Sequence, residues 1–225
     1  MGESPVMSTL MRHSEAVSPL ATSRRGFLRS ASLAATTAMF CEAQFAVAAP
    51  RTAAGAAGPA DPALDAKRMR ELAAWTGLTM ETPNPVPFGA EIVDSKSGER
   101  LMRATNAVGQ EHDPSAHAEV RTIRLACKQI NSYSLKGYTL YTTCEPCPMC
   151  MACALWARAD RVVYGATIAD AARFGHQILI PAAEVAKRTD MICVVDGPVE
   201  RDVCFGLFTN PKMQSTFKRW NSEKP

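Results

Sequence analysis

The stretch Thr142-Thr143-Cys144-Glu145-Pro146-Cys147-Pro148-Met149-Cys150 decides how this chain is read, together with Ser115-Ala116-His117-Ala118-Glu119 upstream. Cys147 and Cys150 form a C-x-x-C pair behind Pro146, and His117 and Glu119 form an H-x-E pair. Zinc favours sulfur and nitrogen donors in a tetrahedron, and a catalytic site leaves one of the four positions to water. His117, Cys147 and Cys150 supply three such donors. Zinc lowers the pKa of that water towards neutrality. Glu119 is placed to move protons beside it without ligating the metal.

The flanking residues supply a matching local structure. Tyr138 to Thr143 are β-branched and aromatic and predict a strand. Pro146 and Pro148 suit a helix start, continued by Met149 to Arg158. Ser115 is placed to cap a second helix running to about Gln129, with Val120, Ile123, Cys127 and Ile130 at helical spacing. The ligands then stand on the first turns of two helices, whose dipoles favour negative charge at the metal.

Other chemistries use parts of this pattern. A lone C-x-x-C also serves as a redox pair or a structural zinc site. Cys144, Cys147, Cys150 and Cys153 are spaced much like the iron–sulfur run C-x2-C-x2-C-x3-C-P. The final gap differs, no proline follows Cys153, and a cluster leaves His117 and Glu119 without a role. On a helix Cys153 falls one turn beyond Cys150 and reads as a small apolar packing residue.

Working outward, Asp61 to Trp75 predicts a helix with Leu64, Met69, Leu72 and Trp75 inward. Pro83, Pro85 and Pro87 break it. Phe88 to Val93 and Arg100 to Asn106 predict two strands joined by the turn Asp94 to Gly98. Arg161 to Ala166 is a further strand, Ile192 to Val195 the last, and Met213 to Trp220 a terminal helix. Strands alternating with helices indicate an α/β sheet covered on both faces.

The first residues read as an address, not as fold. Thr22-Ser23-Arg24-Arg25-Gly26-Phe27-Leu28-Arg29-Ser30 has the form of a twin-arginine export signal. An apolar run from Ala31 to Phe40 and an A-x-A pattern at Ala46-Val47-Ala48 follow it. Residues 1–48 are therefore expected to be a signal peptide, 49–60 a flexible linker and 61–225 the functional domain. A basic tail and an amphipathic mitochondrial leader are the alternatives. The apolar run is short for a membrane span, and Cys41 lacks the context of a lipid anchor. The expected location is periplasmic or exported, with the twin-arginine machinery as partner of the precursor.

The chain has 225 residues, 47% of them hydrophobic, enough for one domain with extensions. Its formal net charge of +3 gives no sign of a strongly basic nucleic-acid surface. Beyond the leader lie Cys127, Cys144, Cys147, Cys150, Cys153, Cys193 and Cys204, and clustered free thiols are a hazard in an oxidising compartment. Export of an already folded protein, with zinc shielding Cys147 and Cys150, meets that difficulty.

From about Asp61 onward the chain resembles the cytidine deaminase-like superfamily, and within it the bacterial guanine deaminases. Four stretches carry the resemblance: Pro87-Phe88-Gly89-Ala90, Asp113 to Val120, Cys144 to Cys150, and Trp156-Ala157-Arg158. The pattern H-x-E…P-C-x-x-C is the zinc signature of base deaminases. The resemblance implies a three-layer α/β/α fold around a five-stranded mixed sheet and one Zn2+ per subunit. It implies a homodimer, with the C-terminal segment exchanged between subunits. It further implies hydrolytic deamination of a guanine-like purine base, with Glu119 catalytic and His117, Cys147 and Cys150 on the metal. Asn106, Phe88, the main chain at Ala118 and Asp170 take base-binding roles in that picture.

The sequence also departs from the guanine branch. That branch closes its pocket with an aromatic tail, whereas this chain ends Asn221 to Pro225 and offers Trp220 as a substitute. The segments at Glu91 and Asn106-Ala107 differ too. Asn106 also reads as a turn former, Phe88 as core and Asp170 as a helix cap; His112 and His176 read as surface residues. The enzyme alternatives are a transfer-RNA adenosine deaminase and a cytosine or cytidine deaminase. The first needs a basic surface for phosphates. A structural zinc or iron–sulfur module is the non-enzyme alternative. A small nucleobase is the expected partner, with no stable nucleic-acid or membrane partner.

Overall fold

Three pairs of neighbouring residues set the architecture: Ile92 with Val93, Leu140 with Tyr141, and Val162 with Val163. Successive side chains on a strand point to opposite faces, so each pair divides between two layers. Ile92, Leu140 and Val162 join one buried cluster with Ile123, Met151 and Ala182. Val93, Tyr141 and Val163 join another with Met69, Phe208 and Phe217.

The computed structural model describes residues 60–222. The expected signal peptide, 1–48, and all but the last residue of the expected linker lie outside them. Five strands, β1 (Gly89–Asp94), β2 (Arg100–Thr105), β3 (Tyr138–Cys144), β4 (Arg161–Ala166) and β5 (Val194–Asp196), form one sheet in the order β2-β1-β3-β4-β5. β1 runs antiparallel to β2 and β3, whereas β3, β4 and β5 are parallel. The helices are α1 (Pro62–Gly77), α2 (Val108–Glu111), α3 (Ala118–Gln129), α4 (Pro148–Trp156), α5 (Ile168–Ala172), α6 (Ala182–Lys187), α7 (Arg201–Thr209) and α8 (Pro211–Ser222). α1, α7 and α8 supply one face, and α3, α4 and α6 the other. The expected three-layer α/β/α fold around a five-stranded mixed sheet is the observed one.

The differences from expectation have local causes. α1 starts with Asp61 capping it, accepting from Ala63 N at 3.0 Å and Leu64 N at 3.2 Å. Leu64 is 40% exposed, and Asp65 is buried in its place because Arg161 and Tyr141 meet its carboxylate. Trp75 is half-buried, with the Arg103 guanidinium 4.3 Å from its ring centroid. Ser115 does not cap α3. Asp113 takes its N–H at 2.8 Å and its hydroxyl at 2.6 Å, and His117 occupies the cap position. The last strand is shifted to Val194–Asp196, leaving Ile192 exposed.

α7 went unanticipated, and it fits tightly. A Cβ on Gly165 of β4 would collide with Cys204 of α7 and lie 2.9 Å from the Thr143 carbonyl oxygen, so only glycine allows this approach. α8 packs on its own chain. Phe217 stacks on Phe174 with ring centroids 5.2 Å apart, and Asn221 donates to the Phe174 carbonyl at 2.9 Å. Among the described residues no helix is long and apolar enough to cross a membrane.

Candidate active site

The strand register brings the candidate residues to one edge of the sheet. Gly89 pairs with Thr105, Ala90 with Thr142, and Cys144 with Ala166. The start of β1 and the ends of β2, β3 and β4 therefore lie together. At this edge β3 runs through Glu145 and Pro146 into α4, with Cys147 as its N-cap and Pro148 in its first turn. Proline suits that place because its ring fixes a helical φ and the missing N–H would be unpaired there anyway. Across the site His117 caps α3 in an extended conformation, with Ala118 and Glu119 in the first turn.

His117 Nδ1 lies 3.8 Å from Cys147 Sγ and 3.5 Å from Cys150 Sγ, and the two sulfurs are 3.6 Å apart. Tetrahedral zinc, with bonds of about 2.3 Å to sulfur and 2.0–2.1 Å to nitrogen, needs donors about 3.5–3.8 Å from one another. The triad fits that ion. Glu119 is not part of the cluster, so among the described residues three donors meet and not four.

The charges are already arranged for a cation. The bond from the Cys150 thiol, aided by the His117 imidazole and opposed by burial, lowers the Cys147 pKa to about 4. Cys150 is shifted upward, first because it donates that bond and second because it is buried. His117 is shifted upward by its contact with Cys147, against the effect of burial. A bound divalent ion favours the thiolate form of both cysteines. Burial raises the pKa of Glu119, a shift that suits a carboxyl for accepting and returning a proton.

A cavity of about 820 Å³ opens beside the triad, and His117, Glu119 and Cys147 reach its wall. Phe88 and Asn106 line it as well. Phe88 also packs edge-to-face on Phe208 at 5.3 Å, so it is core and wall at once. The Asn106 N–H is fixed to the Phe88 carbonyl at 3.1 Å. Ala118 is fully buried, and its N–H is one of the first-turn donors that α3 leaves unpaired.

Asp170 is held elsewhere. It forms a capping box with Thr167 at the start of α5, and both its oxygens receive Arg201, through Nε at 2.9 Å and through Nη2. It is absent from the cavity wall. Sequence reasoning missed other wall residues. Thr216 and Arg219 come from α8, as does Trp220, which the sequence offers in place of an aromatic tail and which lines the cavity. His112 and His176, read as surface residues, are exposed and stand on the same wall. No local pattern marked these residues, because tertiary packing alone brings them to the site.

The description "Cytidine and deoxycytidylate deaminase zinc-binding region" matches residues 65–166, which include the triad and Glu119. The guanine deaminase of Bacillus subtilis (strain 168) is 39% identical over 136 residues, covering 60% of this chain and 80% of that protein. The tRNA-specific adenosine deaminase of Aquifex aeolicus (strain VF5) is 43% identical over 81 residues, covering 36% of this chain and 52% of that protein. The chain thus spans about half of that second relative. Among solved structures, guanine deaminase from Nitrosomonas europaea shares the fold at a TM-score of 0.57 and 20% identity. The match covers 70% of this chain and 84% of that one.

Proposed function

The chain belongs to the cytidine and deoxycytidylate deaminase zinc-binding family, and we propose that it is a hydrolytic deaminase of a guanine-like purine base, releasing ammonia. The observation that carries the deaminase reading is the three-donor cluster opening, with Glu119, onto one cavity. The purine reading is supported by the likeness to a guanine deaminase across 80% of that protein.

His117, Cys147 and Cys150 would hold zinc, which when bound makes water acidic enough to react near neutral pH. Glu119 would carry one proton of the attacking water to the ring nitrogen and then its second proton to the departing amine, leaving the oxygen on the carbon as ammonia departs. Its burial keeps bulk water from competing and strengthens each charge interaction. Phe88 offers its face to the base and Asn106 its amide, while the unpaired first-turn N–H of Ala118 faces no helical partner.

A second reading, deamination of adenosine in transfer RNA, draws on the 43% identity to the Aquifex enzyme and on the engagement of Asp170 by Arg201. That engagement removes one acceptor for the amino side of guanine. An ammonia-release screen of free bases, nucleosides, pterins and transfer RNA separates the two. Guanine should be turned over fastest; turnover of transfer RNA with none of guanine overturns the purine-base reading.

The proposal extends to a homodimer with one zinc per subunit and a nucleobase as the small-molecule partner, without stable nucleic-acid or membrane partners. Thr22 to Ser30 supports export of the precursor by the twin-arginine machinery to the periplasm.

A further inference from the structure

Glu145 sits between the end of β3 and the first candidate metal-binding cysteine, and its side chain reaches the starts of α5 and α6. Oε2 accepts the Ile168 N–H at 3.0 Å, and Oε1 accepts the Ala182 N–H at 2.9 Å. Ile168 begins α5 and Ala182 begins α6. One carboxyl group therefore ties down both ends of the intervening chain. The group is 9% exposed, and a buried carboxylate requires such donors.

Asp170 and Phe174 anchor the first part of that segment, but residues 175–181 have few anchors of their own. Among the described residues, the main-chain hydrogen bond within 175–181 is the local one from Ile180 to Ile178. Ile178, Leu179 and Ile180 are 60%, 68% and 43% exposed, so no core burial fixes them. Yet His176 and Gln177, in this same stretch, line the cavity beside the triad, as does Glu145 itself. The position of this wall depends on how α5 and α6, on either side of it, are held together.

We propose that Glu145 is a positioning residue that couples the metal-binding loop to the 173–181 wall, and so sets where His176 and Gln177 meet the substrate. Its kinetic consequence rests on the deaminase reading above; its mechanical consequence does not. Glu145→Ala removes both acceptors. Glu145→Gln keeps the shape but turns one acceptor into a donor, which faces an N–H and releases one end.

The experiment compares both variants with the zinc-loaded protein. Amide hydrogen exchange across 168–182 should accelerate by about tenfold or more, while α4 keeps its protection and the zinc content is unchanged. With guanine, KM should rise by about tenfold and kcat should change by less than about twofold, since the wall contributes binding and not chemistry. Combining Glu145→Gln with His176→Ala should raise KM by less than the product of the single effects, because both act through one wall. Unchanged exchange overturns the proposal. So does faster exchange with unchanged KM, and so does loss of zinc in Glu145→Gln, which would place the residue in service of the metal loop alone. If Glu145→Ala does not fold, Glu145→Gln decides. If the unmodified protein releases no ammonia from guanine, the substrate reading fails, and the exchange measurement still decides whether the wall is tied.

Discussion

Arg161 of β4 holds Asp65 of α1 through two parallel hydrogen bonds, Nη1 to Oδ1 at 2.9 Å and Nη2 to Oδ2 at 2.7 Å. Tyr141 of β3 donates to the same Oδ1 at 2.6 Å, and Arg161 Nε reaches Asp196 of β5, also at 2.6 Å. Two ion pairs sharing Arg161, with the Tyr141 hydroxyl, thus join a helix to three strands. Burial alone would raise the Asp65 pKa, but the bonds from Arg161 and Tyr141 outweigh it and leave the value below 3.8.

Asp65→Ala leaves a buried guanidinium with one partner fewer and should cost about 3–5 kcal/mol, read from urea denaturation at pH 7. The folded-state pKa is depressed, so the carboxylate's contribution is complete above the ordinary carboxylate value. It disappears as pH falls through the depressed one. The difference between the two proteins should shrink as pH falls below about 4. An equal difference at pH 7 and pH 3 would show that packing, not charge, holds this junction.

Glu119→Gln should keep zinc at the level of the unmodified protein and lower kcat by about 10²–10⁴-fold. Metal analysis and ammonia release on one preparation test this. Near-normal turnover would assign the proton route to another group.

Removing zinc with a chelator should abolish turnover and lower the melting temperature, and adding zinc back should restore both. Cys147→Ser should resemble the chelated protein, because a hydroxyl is a poor substitute for a thiolate on zinc. A chelator-treated protein with unchanged melting and activity is the outcome that removes the metal from the account.

Gly165→Ala should destabilise the fold by about 1–3 kcal/mol or more, because the added methyl meets Cys204 and the Thr143 carbonyl where neither has room. Calorimetry gives the shift in melting temperature. An unchanged value would mean that α7 can back away from the sheet.

Replacing Arg24 and Arg25 with lysine should retain the precursor inside the cell, as cell fractionation would show. Export that continues unimpeded would remove the twin-arginine reading of Thr22 to Ser30.

The readable parts of the chain were those whose chemistry is local. The triad was legible because a C-x-x-C pair on one helix start and an H-x-E pair on another have few structural solutions. Strand β4 has the bounds the sequence predicts because Val162, Val163 and Tyr164 favour an extended backbone. The cap of α3 was misplaced because Ser115 and Asp113 are both good acceptors and only geometry shows which serves which. The inward turn of Asp65 was illegible, since its partners lie on distant strands. Phe88 is packed in the core and also lines the cavity, which a choice between core and contact could not express.

Thr216, Arg219 and Trp220 stand on the cavity wall from the last described helix. The metal donors are therefore synthesised well before the wall that encloses them. A chain made only as far as α7 would hold all three candidate donors beside an unfinished pocket, so the donor set is complete before its enclosure is.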